Sequence, residues 1–316
     1  MTPVRFNLAD AGLIALAVGT YIFGGDYLFL ATSVLSMVIL VVSLDLATGY
    51  AGIDTLGHSA FFGTGAYAAG LYALHLSTEP ISGIFVGALA AALVAVLSGL
   101  LVLRSRGLTL VMLTLAVASA LHEFANLAKG LTGGADGLAG YSIAPILGLF
   151  RFDLFGRTAF IYSLAVFAVV FVFCRMLVSS PFGLTIRGIK ENPLRMRLLG
   201  VPVLRRLVAM YAISAAVAGV AGALTAQITG LVGLDSLGFL LSGNALIMLV
   251  LGGTGRLYGA VLGAIVFVVF SDRAAAIDPV NWLFGLGVVL ILAVRFAPNG
   301  LIGAVQFFAA RLQKHA

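Results

Sequence analysis

The sequence predicts an all-α, polytopic membrane protein of about ten transmembrane helices, with eight to ten as the range. Three observations carry this. Of 316 residues, 61% are hydrophobic and 9% are charged, with a mean hydropathy of +1.14. Soluble domains run near roughly 45–50% apolar and about 25% charged, so this chain has too few polar groups to cover a soluble surface. The apolar runs are continuous rather than alternating at a period of two, which excludes a β-barrel. Glycine occupies 39 positions, an excess that suits helices whose backbones approach closely in lipid. Each span needs roughly 20 apolar residues to cross about 30 Å of hydrocarbon. The only cysteine, Cys174, lies inside an apolar run, which excludes an internal disulfide and a cysteine-based metal site.

Ten apolar segments follow in order, at roughly 8–25, 27–48, 58–76, 83–103, 108–127, 159–178, 207–228, 240–251, 257–271 and 281–296. The first runs from Leu8 through Val18–Phe23 with no clear cleavage site, so it is expected to be a retained span. The segments 240–251 and 257–271 are short, with Gly252, Gly253 and Gly255 between them. They form either two short spans or a re-entrant pair. No linker or low-complexity tract divides the chain, so residues 1–316 are expected to form one transmembrane domain.

The net charge of +6 reports topology rather than nucleic-acid binding. Between Ser179 and Arg206 lie Arg187, Lys190, Arg195, Arg197, Arg205 and Arg206 against the single acid Glu191, which makes that loop cytoplasmic. Alternation then places Arg5, Arg104, Arg106, Arg256, Arg295, Arg311 and Lys314 on the same side, and Lys129, Arg151, Arg157 and Arg273 outside. Both termini are expected in the cytoplasm. Two loops are long enough for a function of their own: the basic inner loop, about 179–206, and an outer loop, about 128–158.

The inner loop carries helix signals in its local chemistry. Asn192 is a good N-cap, Pro193 suits the first helical position, and Gly200 followed by Pro202 ends the helix. A two-turn helix over 193–199 is predicted, after a second helical stretch at about 183–191. A short cytoplasmic helix carrying leucine and arginine suits docking into a groove of a soluble partner. An ordinary positive-inside loop accounts for the same charges, and both readings stand on the residues alone.

Gly-rich backbone at membrane depth is tolerated where protein buries it or water reaches it, and transporters place helix breaks beside the substrate path. Gly63 and Gly65 in one block, with Gly253 and Gly255 in another, are therefore candidate interruptions along a translocation path; plain small-residue packing is the alternative. Polar residues at or near membrane depth are few: Asp45, His58, His122, Glu123, Asn126, Gln227, Ser242 and Asn244. Such groups face a cavity or a partner. His122, Glu123 and Asn126 share a face near the outer end of their span and, with Asn244, are further path candidates; snorkelling or interhelical bonding is the alternative. Asp45 and His58 are expected near the inner surface. No metal-ligand spacing and no nucleophile beside a base is present. None of Lys129, Lys190 and Lys314 closes a Gly-rich phosphate loop before Ser or Thr, so ATP hydrolysis in this chain by that route is excluded.

Ser180–Val201, SPFGLTIRGIKENPLRMRLLGV, resembles the cytoplasmic loop of LivM-type permeases of ABC importers for branched-chain amino acids. Thr48–Gly70, Arg106–Thr114 leading to Leu131–Leu138, Val250–Ala264 and Phe296–Leu301 resemble the same family, in family order. The run after Asn192 departs from the family pattern: it reads Pro-Leu-Arg-Met-Arg where an acidic residue and small residues are common. The resemblance implies a bacterial inner-membrane permease subunit, non-catalytic and without a cofactor of its own. Its implied partners are a second homologous permease, two ATPase subunits that use ATP and Mg²⁺, and a periplasmic binding protein. Ten spans satisfy the family parity, and Glu191, Asn192, Arg195 and Gly200 fall in the ATPase-facing region. Branched-chain or other hydrophobic amino acids lead as substrates, with urea, short amides and aromatic acids as alternatives. A self-sufficient secondary transporter or channel is the competing class.

Overall fold

The computed structural model describes residues 8–23, 25–145 and 156–278, with isolated positions beyond. The predicted segment 281–296, the distal part of the outer loop and most of the Phe296–Leu301 block lie outside the described residues. The helices are α1 Leu8–Phe23, α2 Leu28–Leu44, α3 Ser59–His75, α4 Pro80–Val102, α5 Leu108–Leu127, the single turn α6 Lys129–Thr132, α7 Arg157–Ser179, α8 Pro181–Glu191, α9 Pro193–Leu198, α10 Val203–Thr229, α11 Phe239–Gly252 and α12 Leu257–Ile277. A π-helix, Asp45–Tyr50, continues α2. Among the described residues there is no strand, only an isolated bridge between Leu138 and Val232. Among the described residues, six stretches are long and apolar enough to cross a membrane: 28–50, 80–102, 108–127, 157–179, 203–229 and 257–277. This is a multi-pass helical membrane protein.

The stretch expected to end at 271 runs on to Ile277, so α12 is long enough to cross, whereas α11 has 14 residues and is too short for a perpendicular span. α2 and α10 form the centre. Each is 67% buried over its most apolar window, against 22–28% for the windows of α4, α5, α7 and α12. Small residues set the packing of α10 on α3 and α4. A Cβ at Gly65 of α3 would overlap the backbone of Gly219 in α10, and one at Gly219 would meet the Gly87 carbonyl and Ala91 of α4. Without a hydrophobic drive between helices in lipid, this close backbone approach is what holds them together. Gly63 and Gly65 accordingly sit inside an unbroken α3. The expected interruption at this pair is not there; these glycines are packing surfaces.

Polar side chains tie the helix ends at both faces of the bundle. At one end, Asp10 of α1 accepts from Arg175 Nη1 of α7 at 2.8 Å and from the Tyr258 hydroxyl of α12 at 2.5 Å. At the other, the Tyr162 hydroxyl of α7 donates to Gln227 Oε1 of α10 at 3.0 Å, and Gln227 Nε2 donates to the Pro80 carbonyl at the start of α4 at 2.7 Å. Tyr141, in the loop after α6, donates to the Ala226 carbonyl at 2.8 Å, and burial pushes its hydroxyl up to about 12, which keeps the donor proton in place. The end of α7 and the starts of α1 and α12 therefore lie at one face, as alternating spans require.

Candidate functional site

The helices α8 and α9 are shaped by local chemistry. Ser180 caps α8, its Oγ accepting from the Gly183 N–H at 3.2 Å, with Pro181 at the first position. Asn192 leaves the helical region at φ −152° and caps α9, its Oδ1 accepting from the Arg195 N–H at 2.9 Å. At the far end, Gly200 takes φ +81°. The Gly200 N–H bonds the Arg197 carbonyl and the Val201 N–H bonds the Met196 carbonyl, the paired closure that a left-handed residue permits. α8 buries Gly183, Ile186 and Ile189. α9 buries nothing: Leu194, Leu198 and Leu199 are 66%, 82% and 69% exposed. Glu191, Arg195 and Arg197 are exposed beside them.

Through Lys190 and Arg187, α8 is joined to one departure from α-helical geometry and, beyond it, to a second. Lys190 Nζ donates to the Gly49 carbonyl in the π-helix at 2.6 Å, supplying a partner to one of the carbonyls that a helix end leaves open. The Arg187 guanidinium lies 4.8 Å from the ring centroid of Tyr50, the last residue of that π-helix. Asp45, its first residue, accepts from the Gly255 N–H at 2.6 Å. Gly253 and Gly255 take φ +105° and +75° in the break between α11 and α12, so the interruption expected there is present. A Cβ at Gly49 would overlap both the Asp45 carboxylate and the Gly255 backbone. The junction is thus closed from three directions.

Asp45 and His58 are fully buried within the bundle. A hydroxyl network explains how the fold accommodates His58. Ser43 Oγ donates to the Leu40 carbonyl at 2.6 Å and lies 2.8 Å from His58 Nε2. Ser214 of α10 donates to the Ser43 carbonyl at 2.6 Å, and Ser242 of α11 bonds both the N–H and the hydroxyl of Ser59 at 2.8 Å. Among the described residues, His58 Nδ1 and Asp45 Oδ2 have no hydrogen-bond partner.

A cavity of about 350 Å³ lies between α2, α3, the end of α10 and the loop 231–236. Met37, Phe62, Ala66 and Leu241 form its apolar wall, and Asp235 is its one charged residue. None of the path candidates read from the sequence lines it. Gly63 packs against Leu237. His122 and Asn126 are half-buried on α5, Glu123 is exposed, and Asn126 Nδ2 donates to Glu123 Oε1 at 3.5 Å. Asn244 is half-buried on α11. The structure does not bring these residues together. Asp235 went unread because nothing local marks it; the one signal was an acid inside an otherwise apolar loop closed by glycines.

Residues 27–294 match the family described as the branched-chain amino acid transport system permease component. The chain belongs to that family. It is 29% identical over 329 aligned residues to the high-affinity branched-chain amino acid transport system permease protein LivM of Escherichia coli strain K12, covering 95% of this chain and 76% of the relative. It is 28% identical, with the same coverage, to the LivM protein of Salmonella typhimurium strain LT2. No solved structure matches. In this permease the π-helix, α8, α9 and the α11–α12 break all fall within the matched residues, and α1 precedes them.

Proposed function

We propose that the chain is a non-catalytic subunit of an ATP-driven importer in the bacterial inner membrane. It carries branched-chain or other hydrophobic amino acids that a periplasmic protein delivers. A second homologous permease completes the path, and two cytoplasmic ATPase subunits use ATP and Mg²⁺. The chain itself holds no cofactor. The α8–α9 pair carries this reading. It offers three exposed leucines to a soluble partner and is bonded through Lys190 to the π-helix that continues α2. A partner that moves this pair therefore pulls on the transmembrane path. The 350 Å³ cavity, with an apolar wall and one carboxylate, suits a small apolar solute bearing an ammonium group. Both termini and the 179–206 loop face the cytoplasm.

Uptake of radiolabelled leucine into proteoliposomes, with and without the ATPase subunits, tests the assignment. Uptake that needs no ATPase would place the chain among secondary transporters. Replacing Gly200 with Val opposes the left-handed closure by roughly 1–2 kcal/mol, although a Cβ there meets no neighbour. Substrate-stimulated ATP hydrolysis and uptake are expected to fall together at unchanged membrane levels. Wild-type uptake by Gly200→Val would remove the coupling role of α9.

A further inference from the structure

A second charged site lies beside the junction. A cavity of about 360 Å³ separates the α4–α5 turn from α8 and α9, and Arg104, Arg106, Lys190 and Arg197 line it. None of its lining residues is acidic. Lys190 is engaged with the Gly49 carbonyl, which leaves three guanidinium groups lining the cavity from its two sides. Charges within a Debye length of about 8–10 Å repel, and the planar fork of arginine matches phosphate oxygens. An anion therefore stabilises this arrangement. Its source is indicated by what adjoins the arginines. Leu101, at the end of α4, is 70% exposed, and Leu108 and Met112 of α5 are 75% and 64% exposed. An apolar strip thus begins on either side of the basic turn, as a lipid needs and a soluble anion does not.

We propose that the phosphate of an anionic phospholipid occupies this cavity, its acyl chains lying along α4 and α5. The headgroup then bridges the α4–α5 turn to Arg197 of α9. It fixes from the lipid side the same helix pair that Lys190 fixes from the protein side. Placement in the cytoplasmic leaflet rests on the topology proposed above, while the basic cavity does not depend on it.

The test uses the full chain in phosphatidylcholine nanodiscs containing increasing fractions of a photoactivatable phosphatidylglycerol, with cross-links mapped by mass spectrometry. Labelling is expected at 103–110 and 189–207. The lipid fraction giving half-labelling should rise about fivefold in Arg104→Gln and again in Arg197→Gln, since each cation near such a surface contributes on the order of 1 kcal/mol. Arg104→Lys, which keeps the charge but loses the planar fork, should shift less than Arg104→Gln. Arg205→Gln, which removes an exposed charge outside the cavity lining, should also be unchanged. An equal shift in Arg205→Gln would mean general leaflet electrostatics and would overturn the site. So would equal labelling by photoactivatable phosphatidylcholine, or displacement of the lipid by millimolar inorganic phosphate, which would assign the cavity to a soluble anion. Because symmetric nanodiscs expose both leaflets alike, a wrong topology leaves the expected labelling intact, so the two failures are distinguishable.

Discussion

The tripeptide Gly-Thr-Gly occurs twice in the chain, and the two copies do opposite things. At 63–65 it lies within α3, where the Thr64 hydroxyl bonds the Ala60 carbonyl at 2.6 Å and Gly65 faces Gly219. At 253–255 it interrupts two helices, with both glycines at positive φ and the Gly255 N–H turned to Asp45. In the first copy glycine serves by lacking a side chain, so two backbones can touch. In the second it serves by entering a conformation that costs other residues roughly 1–2 kcal/mol. The neighbours decide between these uses. Ala66, Ala68 and Ala69 extend α3 beyond its copy, whereas Gly252 precedes the other and Arg256, extended at φ −139°, follows it.

This contrast is open to substitution. Gly65→Val is expected to do the most damage, because its side chain meets backbone that has no flexible end to yield; overpacking of this kind costs about 1–3 kcal/mol or more. The yield of folded protein and its thermal midpoint in detergent should both fall, and uptake with them. Asp45→Ala comes next. It leaves the half-buried Gly255 N–H without its Asp45 acceptor, at about 1–3 kcal/mol at most, while Asp45→Asn keeps an Oδ1 acceptor and should recover most of the loss in the same thermal measurement. Gly255→Ala is the mildest for the fold. At φ +75° its new Cβ costs about 1–2 kcal/mol and approaches the Gly49 carbonyl at 3.3 Å, so the thermal midpoint should fall by less than in Gly65→Val while substrate-stimulated ATP hydrolysis declines. If Gly255→Ala destabilised the protein as much as Gly65→Val, the two copies would share one structural role and the contrast would collapse.

What could be read in advance follows the range of the interactions involved. The helices of the bundle were legible because each depends on a long apolar run, and the nine described segments agree with expectation to within a few residues, apart from the extra turn of α12. The ends of α9 were legible because Asn192, Pro193 and Gly200 act on bonds within four residues. The π-helix at 45–50 was not, since it depends on Lys190 and Gly255, each more than a hundred positions away in the chain. The burial of Asp45 and His58 was missed for the same reason: their partners come from the α11–α12 break and from elsewhere in the bundle. Gly63 and Gly65 were misassigned because composition alone cannot tell a glycine that packs from one that bends.

A π-helix holds one more residue in a turn than the α-helix it continues, so the segment 45–50 is in effect a single-residue insertion. Its consequence is one of counting. Loss of any one residue there would restore a regular α-helix with hydropathy almost unchanged, yet it would rotate everything beyond by about a third of a turn. Gly49 would then turn away from Lys190, while Asp45, ahead of the change, would keep its place beside Gly255. For this permease, the length of the segment between Leu44 and Ala51 is thus as much a part of the junction as the side chains it carries.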